Sequence, residues 1–169
     1  MKWLVLVGIA SAAALSVDGA QSTTLTVHPT GHYPQDVSNV QVAIDHGGTV
    51  LLKATDLSGT PTAFNFGPPV VGPGFVELTR DTEIVGERTL SARTKIAGGW
   101  YPVSGFSAII GAVRNIDFDA PLDGALLFIQ PPGANTEIVD NRVAQVIGRN
   151  RDPSSAETYA EAIVVRGGA

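Results

Sequence analysis

The chain repeats itself at steps in the twenties, and this recurrence limits its fold more than any other feature does. Val113-Arg114-Asn115-Ile116-Asp117-Phe118 lies over Ile138-Val139-Asp140-Asn141-Arg142-Val143, with apolar ends matched and Asn or Asp in the third place. The step is 138 minus 113, or 25 residues, and Ile84-Val85-Gly86 opens a similar phrase 113 minus 84, or 29, residues earlier. A second phrase, GALLFIQ at 124–130, returns as EAIVVRG at 161–167, displaced by 37 residues. That displacement is the 25-residue step lengthened by 12, the length of the polar segment 148–159 between them. Such steps are what a coil of short parallel strands produces, because each rung buries its apolar residues on the next. The pattern predicts Ile84, Val113 and Ile138 stacked on one face. A two-sheet sandwich would also give many short strands, but it would separate Val113 from Ile138.

The rest of the chain suits an all-β reading. Short apolar pieces at 49–54, 63–66, 75–79, 83–85, 94–97, 108–110, 113–118, 125–130, 137–143 and 161–166 are divided by Gly, Pro, Asp or Asn. One helix signal precedes most of them: Asp36 as N-cap, Val37, Val40 and Ile44 at helical spacing beside Ala43, and Gly47-Gly48 as the stop. This predicts a short cap helix over about 36–46. Nineteen Gly and eleven Pro without a triplet period imply many turns and exclude collagen. The net charge of −5, with no Lys/Arg stripe, argues against nucleic acid and anionic membrane surfaces as partners. Cysteine is absent, so disulfides and cysteine-ligated zinc are excluded.

Residues 1–20 read as an export signal. Met1-Lys2 gives a positive start, and 3–15 run apolar and small. This stretch is shorter than the ~20 residues a membrane span requires, which disfavours the alternative of a short N-terminal membrane anchor, and no span is expected once the signal is removed. Cleavage after Ser16 fits the small-x-small rule; cleavage after Ala20 is the alternative. The mature domain is then 21–169, secreted or periplasmic.

The segment 36–52, DVSNVQVAIDHGGTVLL, resembles the opening of pectate-lyase-like right-handed parallel β-helices, where a short helix plugs the coil before the first strand. LTRDTEIVGE at 78–87 and TKIAGG at 94–99 are similar to their second rung, and 113–118 and 138–143 to their repeating rung strand. The resemblance implies a single-stranded solenoid and, as activity, polysaccharide lyase or hydrolase chemistry. A non-catalytic surface or adhesive β-helix is the alternative, since that superfamily hosts both. Charged residues on adjacent rungs, lining a groove, would favour the first reading; smooth outer faces would favour the second. A rung strand at 161–166 followed by Gly-Gly-Ala would leave an open edge, so the coil is expected either to continue beyond Ala169 or to be covered by a partner.

Three groups of residues could carry chemistry. Asp117, Asp119 and Asp123 fall near the end of a rung strand; with Ile116 and Phe118 inward, Asp117 and Asp119 project outward together. Outward carboxylates at this spacing could share a Ca²⁺ or act as an acid/base pair, or form a solvated strand end before a turn at Ala120-Pro121. The insertion 148–159 carries Arg149, Arg151 and Tyr159, which could hold and titrate a sugar acid, or it is a plain surface loop. Trp100 and Tyr101 could stack on sugar rings or cover the side of the coil. His28, His32 and His46 lack metal-ligand spacing, and His46 suits the helix C-terminus as a cap. The Gly/Pro run 67–74 lacks the Lys-Ser/Thr ending of a phosphate loop and is expected to be a turn.

Overall fold

The computed structural model describes residues 23–67, 76–99, 102–104, 110–119, 126–130, 135–144 and 163–167. Strand β1 (Thr24–Val27) comes first and helix α1 (Gln35–His46) second. The strands that follow are β2 (Gly48–Leu52), β3 (Phe64–Asn65), β4 (Val76–Leu78), β5 (Thr82–Gly86), β6 (Thr94–Ala97) and β7 (Pro102–Ser104). After these come β8 (Ile110–Arg114), β9 (Ile116–Asp119), β10 (Leu126–Gln130), β11 (Asn135–Val139), β12 (Arg142–Ala144) and β13 (Ile163–Gly167). Pairing is parallel and makes three sheets: β1-β2-β5-β8-β11, β3-β6-β9-β12 and β4-β7-β10-β13. Every third strand from β2 onward returns to the same sheet, so the chain is a parallel β-solenoid with three strands to the turn.

The recurrence read from the sequence is the register of this coil. Ile84 pairs with Val113 and Val113 with Ile138. Leu126 pairs with Ile163, which is the 37-residue displacement. The third-place Asn or Asp, however, is not part of a continuous rung strand. Asn115 and Asp140 have φ of 62° and 54°, and at each the expected single strand divides in two. Asn and Asp tolerate this left-handed conformation better than other residues with a side chain. The phrase therefore spans two sheets and the corner between them.

Inward residues stack rung on rung. Val50, Ile84 and Val113 are fully buried in adjacent strands of the first sheet. Phe64, Ile96 and Phe118 form the matching column in the second sheet. Each such side chain contributes about 1.5–3 kcal/mol when fully removed from water, so the columns supply the main drive for coiling. Gly86 in β5 allows close approach of the next turn: a Cβ there would lie 2.4 Å from the Asn115 carbonyl oxygen.

Helix α1 forms where its spacing predicts. Val40, Ala43 and Ile44 are buried in the common core, and the helix packs against β1, β2, β3 and β4. Gly47 and Gly48 end it, both at positive φ. Two expectations need correction. β1 precedes the helix and pairs with β2, Thr24 beside Thr49, so the helix enters between two rung strands and not before the first. Asp36 is not the N-cap: that position is Pro34, with no side-chain cap bond. Asp36 is instead fully buried in the first turn and accepts bonds from the Thr30 N–H and hydroxyl, the Gly31 N–H and the Asn65 N–H. Its carboxylate satisfies the loop before the helix and the start of β3, donors outside the helix that a sequence reading could not place.

Candidate functional site

The chain passes from the first sheet to the second once per turn, and the connection is longer in the first two turns than in the next two. It takes residues 53–63 after β2, 87–93 after β5, Asn115 alone after β8, and 140–141 after β11. The first two connections are small loops, closed by bridges between Thr55 and Pro61 and between Arg88 and Arg93. Their tips repeat: Leu57-Ser58 and Leu90-Ser91 lie 33 residues apart, and both leucines are exposed. The second loop is tied by Thr89, whose N–H donates to the Ala92 carbonyl and whose hydroxyl accepts the Ala92 N–H.

Loop 87–93 is anchored at its base. The Glu87 carboxylate pairs with Lys53 and accepts the Ala54 N–H; the Lys53 bond, then the Ala54 bond, holds Glu87 below the usual glutamate range. The buried Thr94 hydroxyl accepts the Glu87 N–H at 2.8 Å and donates to the Leu52 carbonyl at 2.6 Å. At the far end, Arg93 Nε donates to Asp117 at 2.8 Å and its terminal nitrogen to the Asp140 carbonyl at 2.6 Å. Arg93 thus ties the second turn to the third and fourth.

The outward face of the second sheet lies beside this loop. Lys95, Asp117 and Arg142 occupy paired positions on β6, β9 and β12. Ile116 and Phe118 are buried, so Asp117 and Asp119 project outward, as alternation requires. Each faces a cation: Arg93 for Asp117, and Lys95 for Asp119 at 2.5 Å. A notch of about 380 Å³ opens between loop and sheet, lined by Arg88, Thr89, Leu90, Arg93, Asp117 and Arg142 among others. Arg88 and Arg142 have no ion pair or side-chain hydrogen bond among the described residues. Three arginines against one aspartate leave the notch a formal +2, in a chain whose net charge is −5. A second groove of about 300 Å³, between this loop and the preceding one, shares Ser91, Ala92 and Arg93 with the notch. Together they form a trough crossing successive turns.

The outward face of the first sheet differs. Arg114 lies 3.4 Å from Glu83 and also pairs with Glu137, so its charge is fully met. A larger cavity, about 670 Å³, lies over β1 and α1 with mainly apolar walls, including Leu25, Val42 and Leu57. Its histidines each bond a backbone carbonyl through Nδ1: His28 to Thr55, and His46 to Val42 in the last turn of the helix, consistent with capping.

Among the residues proposed from sequence, Asp117 belongs to the notch and Asp119 lies beside it on β9. Asp123, Trp100, Tyr101, Arg149, Arg151 and Tyr159, the export signal at 1–20 and the Ala120-Pro121 turn lie outside the described residues. No cluster of three or more His, Asp or Glu able to hold a metal occurs among the described residues. Arg88, Arg93 and Arg142 were not legible as a group. The 25-residue step could have placed Arg142 beside Asp117, but nothing in the sequence aligned loop 87–93 with them. No described helix is long and apolar enough to cross a membrane. Protein families, curated proteins and solved structures were all compared with this chain. None matches.

Proposed function

We propose that the chain is an exported right-handed parallel β-helix of the pectate-lyase-like kind, secreted or periplasmic, that engages an acidic polysaccharide along the trough beside the second sheet. The observation that carries this reading is the set of charged side chains on adjacent rungs, Lys95, Asp117 and Arg142, lining the two adjoining grooves beside a rung-corner loop. Right-handed winding is supported by the general preference of parallel crossovers. A trough that crosses turns suits an extended polymer, and its positive charge suits a sugar acid. The chemistry is polysaccharide lyase or hydrolase-like. Incubating the protein with a panel of uronate polysaccharides, with and without Ca²⁺, should release unsaturated or reducing-end products. No product on any of them would overturn the enzymatic reading.

A non-catalytic, adhesive β-helix is the second reading, and one observation favours it. The outward carboxylates at the site, Asp117 and Asp119, are each engaged by a cation, Arg93 and Lys95, and Arg93 is fixed in place by the Asp140 carbonyl as well. Acid–base work needs a carboxyl placed to exchange its proton with the substrate. Binding without product would select this reading.

A further inference from the structure

We propose that Arg88 and Arg142 together hold one oxyanion of the ligand, a carboxylate or a sulfate ester, directly and without a bridging cation. This deepens the reading above and rests on its claim that an acidic polysaccharide lies in the trough. The two arginines come from different elements lining the notch. Arg88 is presented by the loop, and Arg142 stands one rung beyond Asp117 on β12. Both are exposed and neither has a described partner, so each guanidinium keeps its paired donors for a planar or tetrahedral oxyanion.

The other two charged residues lining the notch, Arg93 and Asp117, are paired with each other. Arg93 is only 12% exposed and is fixed by Asp117 and the Asp140 carbonyl. It is a positioning residue: it holds the loop against the sheet and cancels the one carboxylate that would repel an anion. The same pairing argues against calcium as the bridge. Ca²⁺ requires several oxygen ligands and is favoured by uncompensated carboxylates. Asp117 already serves Arg93, and Asp119 already serves Lys95. In this notch guanidinium groups supply the positive charge that a cation would otherwise bring.

The test is a binding titration of the full chain in EDTA against three probes: polygalacturonate, dextran sulfate and neutral dextran. Binding to at least one polyanion, and none to dextran, is expected; comparing the two polyanions distinguishes carboxylate from sulfate. Arg88→Ala and Arg142→Ala should each weaken binding about tenfold, the low end for a charge-assisted contact at an exposed site. Arg80→Ala, which removes an equal charge elsewhere, should leave affinity unchanged. Arg88→Lys and Arg142→Lys restore the charge but not the fork, and should recover only part of the loss. Wild-type affinity in the Arg88→Ala/Arg142→Ala double variant would overturn the inference and leave the polysaccharide reading standing. So would binding that vanishes in EDTA and returns with Ca²⁺. No binding to either polyanion, in EDTA or with Ca²⁺ added, overturns both.

Discussion

The chain rounds the same corner of its coil in two ways, and the difference separates scaffold from site. After β8 the turn is made by Asn115 alone, at positive φ, and is closed by Asn141 from the next rung. The Asn141 amide donates to the Val113 carbonyl at 2.8 Å, and its oxygen accepts the Ile116 N–H at 3.0 Å. After β5 the chain instead leaves the coil for residues 87–93 and returns at Thr94, held by Glu87, Thr94 and Arg93. The tight corner satisfies backbone groups through the side chain of the next rung. The open corner raises a wall and brings arginines to a face whose other charges are already paired. Surplus positive charge at a raised corner distinguishes this face from that of Glu83, Arg114 and Glu137, where two carboxylates face one guanidinium.

The two corners are stacked, so the most damaging substitution is where they touch. Gly86→Ala would place a Cβ against the Asn115 carbonyl and should cost about 3 kcal/mol in stability, because backbone on both sides must move. A denaturant melt reads this, and wild-type stability would show that the corners are not in contact. Asn141→Ala should cost about 2 kcal/mol by leaving the Ile116 N–H and the Val113 carbonyl without their side-chain partner. Amide exchange should then accelerate at Ile116 and not at Thr94. At Asn115 itself, substitution by Gly should be close to neutral, whereas Asn115→Val should cost about 1–2 kcal/mol for a β-branched residue in the left-handed region. Equal effects of the two changes would refute a positive-φ corner.

The open corner should answer to pH. Glu87 is held below its ordinary pKa, so its contribution is present at neutral pH, above the unfolded value, and is lost as pH falls through the folded value. Because the pair is partly solvated, the effect should be under about 1 kcal/mol. Glu87→Gln should flatten that acid limb, and an unchanged limb would remove Glu87 as its source.

The sequence disclosed the coil because its inward positions are apolar and repeat at nearly constant steps: Val113 and Ile138 could be paired without knowing the turns between them. It did not disclose the corners. Asn115 and Asp140 look like the polar position of an alternating strand, and only their backbone angles show otherwise. Asp36 misled for a related reason, since a carboxylate at a helix start reads as a cap while its actual donors, Thr30, Gly31 and Asn65, lie outside the helix. The site was legible by half. Asp117 and Asp119 were read as outward, but their cations were not foreseen. Arg88 and Arg142 are 54 residues apart, and only the register of successive turns brings them to one notch.

The most direct measurement is amide hydrogen exchange of the full chain with and without a short galacturonate oligomer. Protection should appear at residues 88–93 and around Arg142, and be absent at Asn115 and on the strands bearing Glu83 and Arg114. Protection centred on Arg114, or over β1 and α1 with none at 88–93, would contradict the assignment of the open corner as the binding site.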